Sequence, residues 1–351
     1  MYDIFIKKPK SRSALPLIFL ITFSYIEVKA QEIFVDPSKG KDYASGRQQD
    51  PLASLEKAVL LANNFTGDLP ITIKLGPGLY LLKDQLLLKT SKAKARFSIE
   101  AALMPDDSSW LPSKMPVIQS VSLNNKNWGS FDHCTGFQVE RNNTSFKGLK
   151  FVGNSNPAVV YYYAIERHFA ELKGMEISQC IFVGNKNAAP IQGAIFAQGS
   201  DIKVDHCIFY ECKNALLLFL SVTGFTLTNS IIYGSYEGAI WFGKYSDFFF
   251  SNNVIANNNC FWISMMDFTP RYTFLNSLIT NNSIFMGLNV NGIIEKDDKN
   301  VPLTKDVQRS GKVILNMANT DTIARDYLHL APNSSGKHLQ AGIFMIKKND
   351  K

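Results

Sequence analysis

Short apolar runs recur along the middle of the chain and fall into step when the sequence is cut every 23 to 31 residues. The segments SFKGLKFVGN (145–154), EISQCIFVGN (176–185), KVDHCIFYEC (203–212), TLTNSIIYGS (226–235), FFSNNVIANN (249–258) and TFLNSLITNN (273–282) stack with Phe151, Phe182, Phe209, Ile232, Ile255 and Ile279 in one column. A second apolar run follows in the later repeats: GAIFAQ from 193, NALLLFL from 214, GAIWFG from 238 and NCFWIS from 259. Two or three short strands per repeat, cut by Gly and Asn, predict one coil of a parallel β-helix each.

Alternation within a strand sends Ile177, Val204, Leu227, Phe250 and Phe274 inward, and Cys180, Cys207, Ser230, Asn253 and Ser277 follow them a few places on. Between these columns Gln179, His206, Asn229, Asn252 and Asn276 fall at a bend. Asn suits it, because it tolerates the left-handed conformation and stacked amides can bond from coil to coil. The His206–Cys207 pair is therefore read as a turn residue and a small buried hydrophobe stacked on Cys180, not as a metal or nucleophile site. The five cysteines (134, 180, 207, 212, 260) are odd in number and lack paired spacing, unlike a disulfide framework or zinc ribbon.

The stretch IFVDPSKGKDYASGRQQDPLASLEKAV resembles the opening of secreted bacterial members of the right-handed parallel β-helix, pectate-lyase-like superfamily. ITIKLGPGLYLL, FSIEAA and PVIQS are similar to their first coils, and RDYLHLAPNSSGKHLQAGI looks like their closing segment. The resemblance implies an all-β fold, a right-handed parallel β-helix solenoid with an N-terminal capping helix. Activity does not follow from it, since the superfamily holds lyases, hydrolases, epimerases and proteins without catalysis.

At the N-terminus Lys7, Lys8, Lys10 and Arg12 precede the apolar run ALPLIFLITF, and Val28-Lys29-Ala30 offers a cleavage site. Residues 1–30 read as a signal peptide cut after Ala30, 31–65 as entry strand and cap helix, 66–285 as coils, and 286–351 as a closing segment with the basic tail KKNDK. The apolar run is shorter than the roughly 20 residues of a membrane span, so the mature chain is expected to be exported and to have no span. A chain of 351 residues with 46% apolar and 19% charged residues supports a large core. Five Lys/Arg and two Asp/Glu lie in the leader, so its loss lowers the formal charge from +7 to +4. That charge fits an acidic polymer, whereas no basic cluster interleaved with aromatics suggests nucleic acid.

Outward positions hold the candidate chemistry. Asp201, Lys203 and Asp205 share one face; Gly174, Asp201, Gly224, Asp247 and Arg271 form one column, and Glu176, Lys203, Thr226, Phe249 and Thr273 the next. A lyase of acidic polysaccharide must neutralise the uronate carboxylate, often with calcium, and must supply a base. Asp201, Asp205 and Glu176 are the candidate Ca2+ ligands, and Lys203 or Arg271 the candidate base. The same charges also read as ordinary cross-strand pairs, Glu176 with Lys203 and Asp247 with Arg271. A hydrolase would need two carboxyl groups, for which Asp201 and Asp247 lie two coils or about 10 Å apart.

On the other run Phe196, Leu217, Trp241 and Trp262 are expected to point outward as a stripe rimmed by Lys244 and Asp267. Such a stripe stacks on sugar rings, or is covered by another segment. The longer coil at 155–175 predicts a protruding loop beside a cleft. Together these features describe an exported protein acting on polysaccharide, by calcium-assisted β-elimination of an acidic substrate. The alternatives are a noncatalytic carbohydrate-binding or cell-surface protein, and a glycoside hydrolase.

Overall fold

A computed structural model of the chain describes residues 31–89, 95–123, 125–127, 132–218, 222–243, 246–265, 271–297, 306–317 and 324–345. The expected signal peptide, Lys244 and Asp267 lie outside the described residues.

Each coil gives one strand to each of three sheets. Lys173–Ser178 in sheet I continues as Ile181–Val183 in sheet II and Gly193–Ala197 in sheet III, then re-enters sheet I as Gly199–Asp205. Strands that run the same way cannot be joined by a tight hairpin, so parallel pairing imposes this circuit. The predicted column holds: Phe151, Phe182, Phe209, Ile232, Ile255 and Ile279 lie in direct register along sheet II. The rings of Phe151, Phe182 and Phe209 stack at 4.6 and 4.8 Å inside the solenoid.

The bend from sheet I to sheet II shows why the repeats carry Asn. Gln179, His206, Asn229, Asn252 and Asn276 all adopt positive φ, from 42° to 58°, a region costly for most side chains. Asn276 Nδ2 donates to Asn252 Oδ1 at 2.7 Å, Asn252 Nδ2 to Asn229 Oδ1 at 3.2 Å, and Asn229 Nδ2 to Asp205 Oδ1 at 2.9 Å. A second ladder lies inside, where Ser230 Oγ, Asn253 Oδ1 and Ser277 Oγ accept from the backbone N–H groups of Cys207, Ser230 and Asn253. His206, with Nδ1 2.8 Å from Asp205 Oδ2, is a turn residue. All five cysteines are buried free thiols, and burial pushes the Cys207 thiol well above its ordinary value.

One end and one side of the solenoid are covered. The helix Leu55–Asn63 starts where the Ser54 side chain accepts from Lys57 N, with Glu56 in the first turn favoured by the helix dipole. It buries Leu55, Ala58, Val59 and Ala62 and packs near strands Gln31–Val35, Ile71–Leu75 and Leu86–Leu88 of the first coil. Residues 324–345 form a strap on the outer face of sheet II, where Leu328, Leu330, Leu339 and Ile343 join the cluster of Ile181, Ile208, Ile231 and Val254. Arg325 anchors the strap by donating to the carbonyls of Pro105, Asp107, Ser108 and Trp110. The stretch 155–175 forms a sheet III strand, Tyr162–Arg167, between two lengthened turns.

Candidate functional site

The outer face of sheet I stays open, and two grooves lie along it. The first, of about 310 Å³, is lined by Arg96, Asn143, Gly174, Glu176, Asp201 and Lys203, among others. Glu176 stands in register with Lys203 but pairs instead with Arg96 and with Lys147 Nζ at 3.1 Å. Asp205 accepts from Thr228 Oγ1 at 2.5 Å and from Asn229, and lies beside His206. Burial alone would raise its pKa; the hydrogen bonds from His206, Thr228 and Asn229 outweigh that and hold it below its ordinary value. Asp201, at φ 55°, accepts from its neighbour Ser200 Oγ at 3.3 Å.

The three carboxylates expected to hold calcium thus have separate partners and do not converge. Among the described residues no group of three His, Cys, Asp or Glu side chains is placed to hold a metal ion. This donor set does not fit a calcium site.

The second groove, of about 350 Å³, is lined by Thr226, Asp247, Phe249, Arg271, Tyr272 and Thr273, among others. Arg271 is 85% exposed in its side chain, with Nη2 3.5 Å from Asp247 Oδ2, so this expected pair forms at the surface. Lys203 and Arg271 belong to different grooves three coils apart, about 14 Å along the axis. The two cannot act on one sugar ring. Phe249 is 38% exposed on this face, in register with Thr226 on one side and Thr273 on the other. Its place in the outward column is legible in the sequence, but a binding role is not. Its signal is the run Asp-Phe-Phe-Phe-Ser, in which Phe248 and Phe250 are buried and alternation turns Phe249 out.

The stripe expected on sheet III is closed. The register sets Trp262 beside Ile240 and Ile263 beside Trp241, because each of these strands bends with two successive inward residues, as at Phe261 and Trp262. Trp262 is therefore a core residue against Phe242, Phe248, Phe250 and Phe274. The true outward column is Phe196, Leu217, Trp241 and Ile263, buried as a separate cluster with Tyr163 and Cys260. Trp241 is only 8% exposed and donates from Nε1 to Asn214 Oδ1 at 2.7 Å. Neither tryptophan offers a ring to a sugar.

Beside that column sits a polar cluster that lies outside the site residues expected from the sequence. Glu166, in register with Phe196, has a side chain only 3% exposed, and His133 Nε2 lies 3.2 and 3.3 Å from its two oxygens. Thr135 Oγ1 donates to Glu166 Oε2. His168 Nδ1 is 3.7 Å from Oε1; its ring lies nearly parallel to Phe196 at 5.8 Å, and it is the solvent-facing member at 29% exposure. The signal was the polar alternation His133-Cys-Thr135 and Glu166-Arg-His168, the second within the coil noted for its length.

Residues 135–304 match the family model described as right handed beta helix region. No curated protein sequence matches the chain significantly. Among solved structures, a lacto-N-biosidase from Eubacterium ramulus is similar at 10% identity with a TM-score of 0.50, over 75% of this chain and 58% of that one. The chain thus covers less than two thirds of that enzyme. A rhamnogalacturonan lyase (12% identity, TM-score 0.45, 74% and 70% covered) and the pectate lyase Pel9A (14%, 0.45, 75% and 69%) are also similar. The three-sheet circuit and the family match make this chain a right-handed parallel β-helix protein, the fold implied by its pectate-lyase-like sequence features.

Proposed function

We propose that the protein is exported and binds an acidic polysaccharide lengthwise along the outer face of sheet I. The observation that carries this is Phe249, an exposed ring on a groove floor, flanked at one-coil spacing by the hydroxyl side chains of Thr226 and Thr273 and rimmed by Arg271 and Asp247. An aromatic face stacks on the apolar face of a sugar, while flanking hydroxyls and a charged pair meet its polar edge. Coils repeat every ~4.8 Å, close to the length of one sugar ring, so successive rings meet the column Glu176, Lys203, Thr226, Phe249 and Thr273.

Lys203 has no ion-pair partner among the described residues and faces the first groove, where it is available to a uronate carboxylate. Solvent-exposed ion pairs contribute only about 0–1 kcal/mol each, so the cations select charge while Phe249 supplies affinity. β-Elimination with Lys203 as base is the second reading, favoured by its place in the first groove beside Arg96; the role requires the neutral amine, not the ammonium.

Affinity electrophoresis against polygalacturonate, alginate and a neutral glucan tests both. Retardation by the acidic polymers, reduced at least tenfold in Phe249→Ala and made indifferent to charge in Lys203→Ala with Arg271→Ala, is the expected result. No retardation, or retardation untouched by Phe249→Ala, refutes the binding face. Ultraviolet absorbance of an unsaturated product, lost in Lys203→Ala, would establish the lyase.

A further inference from the structure

The two grooves on sheet I repeat one construction, and its period is two coils. At the bend from sheet III into sheet I, Asn143, Gly174, Asp201 and Gly224 stand in register on successive coils, with φ of 54°, 69°, 55° and 64°. Asn143 and Asp201 meet the left-handed requirement of that bend, so the turn alone does not demand glycine. What glycine adds at every second coil is room. A Cβ on Gly174 would meet Asn143 Oδ1 at 2.6 Å, and one on Gly224 would meet Asp201 Oδ1 at 3.2 Å. Gly174 lines the first groove and Gly224 the second, about 9.6 Å apart along the axis.

Each recess carries the same two kinds of polar group. A side-chain oxygen stands beside the glycine, Asn143 Oδ1 in the first and Asp201 Oδ1 in the second. A guanidinium lies on the rim, held by a carboxylate: Arg96 by Glu176, and Arg271 by Asp247. Those carboxylates disfavour a further negative charge in the recess. An acceptor next to a donor suits a neutral group that offers both, and a secondary amide does so: its N–H donates to the oxygen and its carbonyl accepts from the guanidinium. Lys203 stands on the coil between the two recesses, where it meets the carboxylate of the intervening sugar.

We propose that the two recesses take the acetamido groups of alternate sugars, so that the ligand is a polymer in which a uronate alternates with an N-acetylhexosamine. This rests on the polysaccharide reading above, with one ring per coil.

The experiment is calorimetric titration of the protein with three hexasaccharides: a hyaluronan fragment, which alternates and carries amides; a rhamnogalacturonan fragment, which alternates without them; and hexagalacturonate, which does neither. The hyaluronan fragment is expected to bind about tenfold more tightly than the other two, since a site built to bond a polar group rejects analogues that lack it. In Gly224→Asn that preference should fall to about twofold or less, because Asn keeps the left-handed backbone, as at Asn143, while its side chain fills the recess. Gly174→Asn repeats the test in the first recess should Gly224→Asn fail to fold by circular dichroism. A merely structural glycine would weaken all three ligands in parallel, and a preference that survives in this way overturns the proposal. Hexagalacturonate or the rhamnogalacturonan fragment bound as tightly as hyaluronan, with Phe249→Ala still weakening them, overturns the amide recesses and leaves the binding face standing. No binding of any of the three overturns both.

Discussion

Lowering the pH from 7 to 4 tests how the strap 324–345 is held, because one of its residues is a histidine enclosed in its neutral form. His329 is 7% exposed, stacks on Phe344 at 4.6 Å and lies over Gly342, where a Cβ would meet the ring at 2.3 Å. Its Nδ1 faces Tyr327 O at 3.1 Å and its Nε2 accepts from Ile343 N at 3.1 Å, so a second proton would remove an acceptor the backbone uses. Burial is the main cause that lowers its pKa from 6.5 to about 4; Lys337 adds to this, while Asp326 and the bond to Tyr327 oppose it. A folded pKa below the unfolded one means that the unfolded chain binds the extra proton first. The stabilisation is therefore complete above pH 6.5 and is lost as pH falls toward 4, by about 3 kcal/mol at pH 4. Urea unfolding followed by tryptophan fluorescence suits the measurement, since Trp110 packs edge-on against Phe344 of the strap at 5.6 Å. The wild type should lose about 3 kcal/mol more than His329→Gln over this range. Equal losses in the two proteins would refute the assignment.

Three further outcomes follow from the same geometry. Asn253→Ala should cost about 2–4 kcal/mol in urea unfolding, because it strands the buried Ser230 N–H and Leu227 O that its amide serves; a change under 1 kcal/mol would contradict the inner ladder. Trp262→Ala should cost about 3–5 kcal/mol by opening a core cavity, yet leave polysaccharide affinity per folded molecule unchanged, whereas a selective loss of binding would restore the outward stripe. Arg325→Ala should detach the strap, seen as faster amide exchange over 324–345 with the coils still protected; uniform protection would contradict its anchoring role.

Most of the fold was legible because a solenoid repeats its physics. Phe182 and Phe209 had to align once the period was known, and the Asn column had to bend because positive φ is what Asn tolerates. The site was less legible where a strand departs from alternation. Trp262 was placed outward by counting in twos, but two successive inward residues at Phe261 and Trp262 reverse the parity. Asp205 looked like a metal ligand because its side chain points outward; only the folded bend shows it ending the amide ladder. Glu166 and His133 are 33 residues apart, brought together by the pairing of Asp132–Val139 with Tyr162–Arg167, and no local pattern announces such a contact.

The central claim is that a polymer lies lengthwise on sheet I. Calorimetric titration of the protein with oligogalacturonates of increasing length measures it most directly. The rows from Glu176 to Thr273 span four coil spacings, about 19 Å, so affinity should rise with each added ring, level off at about four or five, and collapse in Phe249→Ala. Affinity independent of length, or a length dependence that survives Phe249→Ala, would contradict it.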